Sequence, residues 1–229
     1  MLDFILSSSY FCIAVTIAAF LLGSLLQKNT KLAILNPTLV GAAIMMLVVT
    51  LLDIPTAAYQ AGCSVLNFLL TPATICLSIA FYQQFQSLKK HLFAISIGVL
   101  AGSLCSIGFI WLCCRIIGLD RAILLSLLPK SITTAIGTAL AEELGGVAAI
   151  TTFAIAITGI FGNIAGPALS KLLKIRDPIP QGVAFGTASH VMGTARATEL
   201  SALTGAVSSL SLTIAGLLTV VILSFATQF

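Results

Sequence analysis

Apolar runs of about 20 residues recur along the whole chain, and short polar connections separate them. Each run is long enough to cross about 30 Å of hydrocarbon as an α-helix, which predicts an all-α integral membrane protein with seven to eight transmembrane segments. The predicted segments are residues 10–26, 35–52, 64–83, 92–117, 122–146, 147–173, 182–200 and 206–227. Since the connections leave no room for a soluble domain, we expect residues 1–229 to form a single polytopic membrane domain.

Several predicted segments contain residues that interrupt a lipid-like helix. Pro72 and Pro129 each remove a helical hydrogen bond, and Gly193 lies in a glycine-rich segment that also carries charges. Broken or re-entrant helices are therefore expected around these positions. Because such segments occur in both halves of the chain, they also suggest the internal inverted repeat that is common in secondary transporters.

The basic residues between segments indicate which segment turns back. If residues 122–146 cross the membrane, the basic residues divide almost equally between the two sides. If this segment instead enters and returns, most of them fall on one side, as the positive-inside rule requires. The basic residues that then lie on one side of the membrane are Lys28, Lys31, Lys89, Lys90, Lys171, Lys174 and Arg176. The count favours a re-entrant segment with the amino terminus outside.

Composition excludes several classes of protein. With 59% hydrophobic and 8% charged residues, the chain cannot cover a soluble fold with polar side chains. The net charge of +4 comes from clusters beside predicted spans, so we assign no nucleic-acid partner. The six cysteines show no disulfide or zinc spacing, and no catalytic triad or phosphate-binding loop is present. We therefore expect no metal, no cofactor and no enzymatic activity.

Lys130 follows Pro129 inside a predicted membrane segment and precedes a group of hydroxyl residues. A cation at a broken helix can hold a carboxylate, and the neighbouring hydroxyl groups can bind its oxygens. The alternative is an interfacial lysine that extends to the lipid headgroups. The substrate-binding candidates in this stretch are Lys130, Ser131, Thr133 and Thr134.

Residues 182–200 carry polar and charged side chains in an otherwise apolar segment. Arg196 can bind a carboxylate through two parallel hydrogen bonds, or it can pair with Glu199 on the same helical face. His190 and Glu199 are candidates for proton coupling, although a lone buried histidine is more often only hydrogen-bonded. The substrate-binding candidates in this segment are Thr187, Ser189, His190 and Arg196.

Convergence of these side chains depends on a bend. In a straight helix Ser189 and Arg196 share a face, whereas His190 is rotated by about 120° from Arg196. A bend near Gly193 is therefore predicted, and the segment is expected to face residues 129–134 across a cavity. The backbone at Thr71, Pro72 and Gly193 is a further candidate for the lining of this cavity.

Three motifs carry a resemblance to a known family: Thr-Pro-Ala-Thr at 71–74, Leu-Leu-Pro-Lys-Ser-Ile-Thr-Thr at 127–134 and Gly-Thr-Ala-Ser-His-Val-Met-Gly-Thr-Ala-Arg-Ala-Thr-Glu at 186–199. Together they resemble the LrgB/CidB family of bacterial membrane proteins, from about residue 36 to the carboxyl end. The family often has proline where this chain has Ala80 and Ala135, so helix breaks at these two positions are less expected here.

The resemblance implies a secondary active transporter of small 2-oxo or 2-hydroxy monocarboxylates, such as pyruvate, glycolate or glycerate, in the bacterial inner membrane. The basic candidates Lys130 and Arg196 by themselves indicate only an anion. The resemblance also implies an LrgA/CidA-like small membrane protein as partner, and we expect a homo-oligomer in the bilayer. The alternative function is that of an antiholin-like protein that regulates murein hydrolase activity and cell lysis.

Overall fold

The computed structural model describes residues 8–30, 35, 37–69, 72, 75–76, 79, 82–83 and 85–226. Within these ranges the chain forms eleven α-helices and no β-strand. The chain divides into two compact units, residues 1–76 and residues 77–229. The all-α prediction is confirmed for the part of the chain that the structure describes.

The first unit consists of two longer helices followed by two short ones. They are α1 (Ser9–Thr30), α2 (Pro37–Leu51), α3 (Thr56–Gly62) and α4 (Ser64–Phe68). Gly23 of α1 adjoins Pro37, and Gly41 of α2 adjoins Phe20, so α1 and α2 pack antiparallel. Thr16 of α1 shares a 2.8 Å hydrogen bond with the hydroxyl of Tyr59 in α3.

The second unit contains three long apolar helices and several shorter helices. They are α5 (Phe85–Lys89), α6 (Leu92–Ile117), α7 (Arg121–Leu127), α8 (Thr134–Glu143), α9 (Ala148–Leu172), α10 (Pro178–Leu200) and α11 (Ala202–Ala226). By length and apolar composition, α1, α6, α9 and α11 are candidate membrane spans among the described residues. The structure therefore supports a multi-pass membrane protein, and the number of seven to eight crossings stays a prediction.

Helices α7 and α8 form a hairpin, which we call hairpin 1, with a turn at residues 128–133. With 7 and 10 residues, each helix is too short to cross about 30 Å at a rise of about 1.5 Å per residue. Gly137 of α8 lies against the carbonyl oxygen of Pro129, and Ser126 of α7 accepts a 2.7 Å hydrogen bond from the Val147 N–H. These contacts show that α8 runs antiparallel to α7, as expected of a re-entrant segment.

Helix α10 also reverses its direction, although it was counted among the predicted segments. Ser189 and His190 have non-helical backbone angles, and Gly193 lies against the carbonyl oxygen of Phe185, eight residues earlier. Such a contact is impossible in a straight helix, where about 12 Å would separate these residues along the axis. We call the resulting element hairpin 2; its halves are α10a (residues 178–188) and α10b (residues 191–200).

Neighbouring helices confirm the reversal of α10. Gly182 of α10a adjoins Val207 of α11, and the later Gly186 adjoins the later Ser208. Helix α10a therefore runs parallel to α11. In α10b the order is inverted, since Thr194 contacts Ser208 and Thr198 contacts the earlier Gly205. Glycine is needed at 182 and 186 because a Cβ there would overlap α11. The bend lies at Ser189–His190, which corrects the predicted position near Gly193.

The two hairpins enter the second unit from opposite ends. Hairpin 1 begins at the carboxyl end of α6, since only residues 118–120 separate α6 from α7. Hairpin 2 begins at the amino end of α6, because Ile179 packs on the cluster that contains Leu88 and Ile95. The tips lie near the helix middles: Ser131 contacts Ser106 of α6, and Ser189 adjoins Gly162 of α9. The end of the unit where hairpin 2 enters carries Lys89, Lys90, Lys171, Lys174 and Arg176.

Candidate functional site

The tips of the two hairpins meet at a cavity of about 540 Å³ inside the second unit. Lys130 and Ser131 come from hairpin 1, Thr187 and Ala188 come from hairpin 2, and Ser106 comes from α6. The two stretches that the sequence predicts to face each other therefore do so in the structure. Most of the wall is apolar, and three glycine or alanine positions of α6 (Ala94, Gly98 and Gly102) keep it wide.

Lys130 lies at the boundary between two cavities. A second cavity, of about 340 Å³, adjoins the other side of α10a and is also lined by Lys130, together with Thr158 and Ser189. Ala184 and Ala188 of α10a line both cavities, so the small side chains of this half-helix separate them. A movement of hairpin 2 would consequently change access to Lys130 from either side.

The ammonium group of Lys130 is half-buried and lacks a counter-ion among the described residues. Its Nζ donates a 3.3 Å hydrogen bond to Ser131 Oγ, which in turn lies 3.1 Å from Ser106 Oγ. A lysine ammonium has three protons to donate, and a partly desolvated cation gains much from an anionic partner. The site is therefore suited to a small anion.

Thr187 adds an unused polar group to the same cavity wall. The residue is buried, and its hydroxyl has no hydrogen-bond partner among the described residues. Its methyl group adjoins Gly102 of α6, where a Cβ would be too close. Because a buried hydroxyl without a partner is destabilising, Thr187 is ready to bond a solute or a water molecule after a small side-chain rotation.

His190 forms the turn of hairpin 2 with a backbone geometry that ordinarily favours glycine. Its φ of 43° and ψ of −137° are found mainly at the first central position of type II′ turns. The buried imidazole Nε2 lies 2.9 Å from the carbonyl oxygen of Ile155 in α9. Since a carbonyl only accepts, Nε2 carries the proton, and in the neutral ring Nδ1 is then an acceptor.

Side chains from three elements hold the backbone of this turn. Thr194 donates a 3.0 Å hydrogen bond to the carbonyl of His190 and lies 2.9 Å from Ser208 Oγ. Because the single proton of Thr194 is used in the first bond, Ser208 is the donor in the second. Asn163 of α9 donates to the carbonyl of Met192 at 3.1 Å. The turn is thus fixed on the α9 side and on the α11 side.

Glycines of α9 make room for hairpin 2. A Cβ at Gly159 would overlap the His190 ring, one at Gly162 would overlap the Ser189 side chain, and one at Gly166 would overlap the Phe185 ring. Hairpin 2 therefore packs directly against the α9 backbone. The four-residue or three-residue spacing of these glycines keeps them on one helical face.

Arg196 and Glu199 lie apart from the two cavities. They form an ion pair with each other, and neither residue lines the cavities at the hairpin tips. Arg196 is six residues beyond His190, about 9 Å along the axis of α10b toward its base. The structure thus matches the alternative in which Arg196 pairs with Glu199, and substrate binding by Arg196 stays a prediction.

The remaining predicted residues have different positions. Thr133 immediately precedes α8 and Thr134 is exposed at its start, and neither lines the two cavities. Gly193 does not form the bend; it lies in α10b, buried against Phe185 of α10a and Ser189 of the turn. Pro72 is exposed in the first unit, and Thr71 lies outside the described residues. Sequence reasoning missed Ser106, whose only signal was a hydroxyl near the middle of an apolar helix.

These features define the class: a multi-pass membrane protein in which the tips of two helical hairpins lie beside the side chain of Lys130. The LrgB-like family model matches residues 16–229, and the chain belongs to this family. Its relatives include antiholin-like protein LrgB of Bacillus mycoides strain KBAB4, which is 33% identical over 93% of this chain and 94% of its own length. The protein of the same name from Bacillus cereus strain B4264 has the same identity and coverage. No solved structure matches the chain.

Proposed function

We propose that the chain binds a small monocarboxylate at the junction of the two hairpins and carries it across the bacterial inner membrane. The observation that supports this proposal is the position of Lys130, a half-buried cation that no carboxylate neutralises among the described residues. It lines both cavities beside α10a, so one bound anion could be reached from two directions.

In this mechanism Lys130 holds the carboxylate, and the hydroxyl groups of Ser131, Ser106 and Thr187 bind its oxygens or a neighbouring oxo or hydroxy group. The amino ends of α8 and α10b lie at the hairpin tips and add positive dipoles, although the carboxyl ends of α7 and α10a offset part of this field. His190 supports the tip and is the proposed proton carrier, with the exposed Glu199 as a second candidate.

The arrangement of the second unit also supports the proposed inverted repeat. A long helix followed by a hairpin occurs twice, as α6 with hairpin 1 and as α9 with hairpin 2. The two hairpins enter from opposite ends, as an axis in the membrane plane requires. Transport would then proceed by movement of one hairpin relative to the other, with the chain acting as one membrane domain in a homo-oligomer.

The experiment is uptake of labelled pyruvate and glycolate into proteoliposomes, with and without an LrgA/CidA-like partner protein. We expect saturable uptake that an excess of unlabelled substrate inhibits and that Lys130→Met abolishes. Lys171→Met is the matched control, because it removes the charge of an exposed lysine that does not line either cavity. Absence of saturable uptake under both conditions would refute the transport proposal.

The second candidate is an antiholin-like role in the control of murein hydrolase activity and cell lysis. The names of the relatives favour this role over carboxylate transport, since they call these proteins antiholin-like and mention no solute. Expression in a lysis-prone bacterial strain separates the two. Delayed lysis by both the unchanged chain and Lys130→Met would assign the lysis effect to assembly rather than to anion binding.

A further inference from the structure

Two arginines lie at the end of the second unit that is otherwise poor in basic residues. Arg115 is in the last turn of α6, and Arg121 begins α7. Within the second unit, Lys89, Lys90, Lys171, Lys174 and Arg176 lie at the opposite end, near the entry of hairpin 2. The positive-inside pattern therefore does not account for Arg115 and Arg121.

A tight turn brings the two arginines to one groove. Gly118 ends α6 in the left-handed conformation, with φ of 75°, and the N–H of Leu119 closes the turn on the carbonyl of Cys114 at 3.0 Å. Glycine suits this position because other residues adopt positive φ at a cost. The groove has a volume of about 560 Å³ and is lined by both arginines.

The rest of the groove is apolar and follows α7 toward the interior of the unit. Leu124, Leu125 and Leu128 form one side, and Ile107 of α6 and Leu223 of α11 contribute to the other. From Arg121 to Leu128 the helix rises by about 10 Å. The groove thus has two guanidinium groups at its mouth and a hydrocarbon lining beyond them.

Trp111 lies at the same mouth and orients one of the arginines. The guanidinium carbon of Arg115 is 5.4 Å from the centre of the indole ring, which is a cation–π distance. Tryptophan is typical of the headgroup level of a membrane, and guanidinium groups bind phosphate through paired hydrogen bonds. The carboxylates Asp120, Glu142 and Glu143 lie at the same end and offset its positive charge. An anion would therefore be attracted by direct contact with the two arginines and not by the net charge of this end.

We propose that this groove binds an anionic phospholipid, with the phosphodiester on Arg115 and Arg121 and one acyl chain along the leucines of α7. A phospholipid satisfies both halves of the groove, whereas a free phosphate would leave the apolar half uncovered. Because α7 is part of hairpin 1, a lipid bound here would contact the helix that leads to Lys130. The site is separate from the two cavities at the hairpin tips and does not depend on the proposed transport function.

The sole tryptophan of the chain makes the groove directly observable. The purified full-length protein is reconstituted in vesicles that contain phosphatidylglycerol or phosphatidylcholine with brominated acyl chains, diluted in unbrominated lipid. Bromine quenches tryptophan on contact, so the fluorescence of Trp111 reports which lipid occupies the groove. We expect phosphatidylglycerol to quench at a mole fraction about 30-fold lower than phosphatidylcholine, since two basic residues contribute.

The double variant Arg115→Gln/Arg121→Gln should remove this preference and give equal quenching by the two lipids. Lys171→Gln/Lys174→Gln is the matched control, because it removes two positive charges at the opposite end and leaves the groove intact. Persistence of the preference in the arginine variant, or its loss in the lysine control, would overturn the proposal. A circular dichroism spectrum confirms that each variant is folded, and equal quenching in the unchanged protein would also refute the site.

Discussion

The two hairpins reverse the chain near the middle of the second unit but use different chemistry to do so. Hairpin 1 turns over residues 128–133 and leaves Lys130 without a counter-ion among the described residues. Hairpin 2 turns at Ser189–His190, and its turn is held by hydrogen bonds from Thr194, from Asn163 and to the carbonyl of Ile155. The difference suggests a division of roles, with a ligand-binding tip on hairpin 1 and a fixed tip on hairpin 2.

The largest effect is expected at Lys130. Lys130→Met removes a partly buried charge while keeping the length of the side chain, so the protein should be as stable as before or slightly more stable. Binding of a carboxylate should weaken about 10- to 100-fold, because hydrogen bonds to charged groups contribute about 1.5–3 kcal/mol. Equilibrium binding of labelled pyruvate or glycolate measures the first effect, and thermal unfolding in detergent measures the second. Unchanged affinity would remove the ligand-binding role of hairpin 1.

Hairpin 2 should respond to packing changes. Gly162→Ala places a Cβ on the Ser189 side chain, and it should lower the unfolding free energy by about 1–3 kcal/mol, as overpacking does. Gly108→Ala in α6 is the matched control, since a Cβ there meets nothing within 4 Å. Both variants are compared by thermal unfolding in the same detergent. Equal melting temperatures would show that hairpin 2 does not pack tightly on α9.

The hydrogen bonds behind the turn of hairpin 2 are expected to have a smaller effect. Thr194→Val keeps the shape of the side chain but deprives the carbonyl of His190 and the hydroxyl of Ser208 of their partner. The loss should be about 1–2 kcal/mol of stability. A double-mutant cycle with Ser208→Ala tests the coupling: strictly additive losses would contradict a shared hydrogen-bond network.

The smallest effect is expected at the base of hairpin 2. The Arg196–Glu199 ion pair is partly exposed, with side chains 35% and 62% accessible. Such pairs contribute about 0.2–1 kcal/mol, so Glu199→Gln should shift stability by no more than this. Arg196→Lys should keep the ion pair with Glu199, and solute uptake by this variant tests whether Arg196 also binds the substrate. Loss of uptake in a folded Arg196→Lys protein would restore Arg196 to the substrate site and weaken the contrast between the hairpins.

Residue patterns alone predicted the positions of the helix breaks better than they predicted the path of the chain. The combination of Pro129, Lys130 and neighbouring hydroxyls indicated a broken element with a buried cation, because a lipid-facing helix does not tolerate these groups. Both interrupted stretches, 122–146 and 182–200, are hairpins in the structure, whereas only the first was predicted to turn back. For the second stretch a bend near Gly193 was predicted but not a full reversal at Ser189–His190, because the positive φ of His190 cannot be read from the sequence.

What the sequence by itself determined is the class of protein, since apolar runs and scarce charges permit only helices in a bilayer. It also determined which residues are incompatible with lipid. Only the tertiary structure decided the partners of those residues, because a hairpin brings residues together that a straight helix holds about 12 Å or more apart. For this reason the cavity includes Lys130 and Thr187 and adds Ser106, while Arg196, which looked equally suited to an anion, pairs with Glu199.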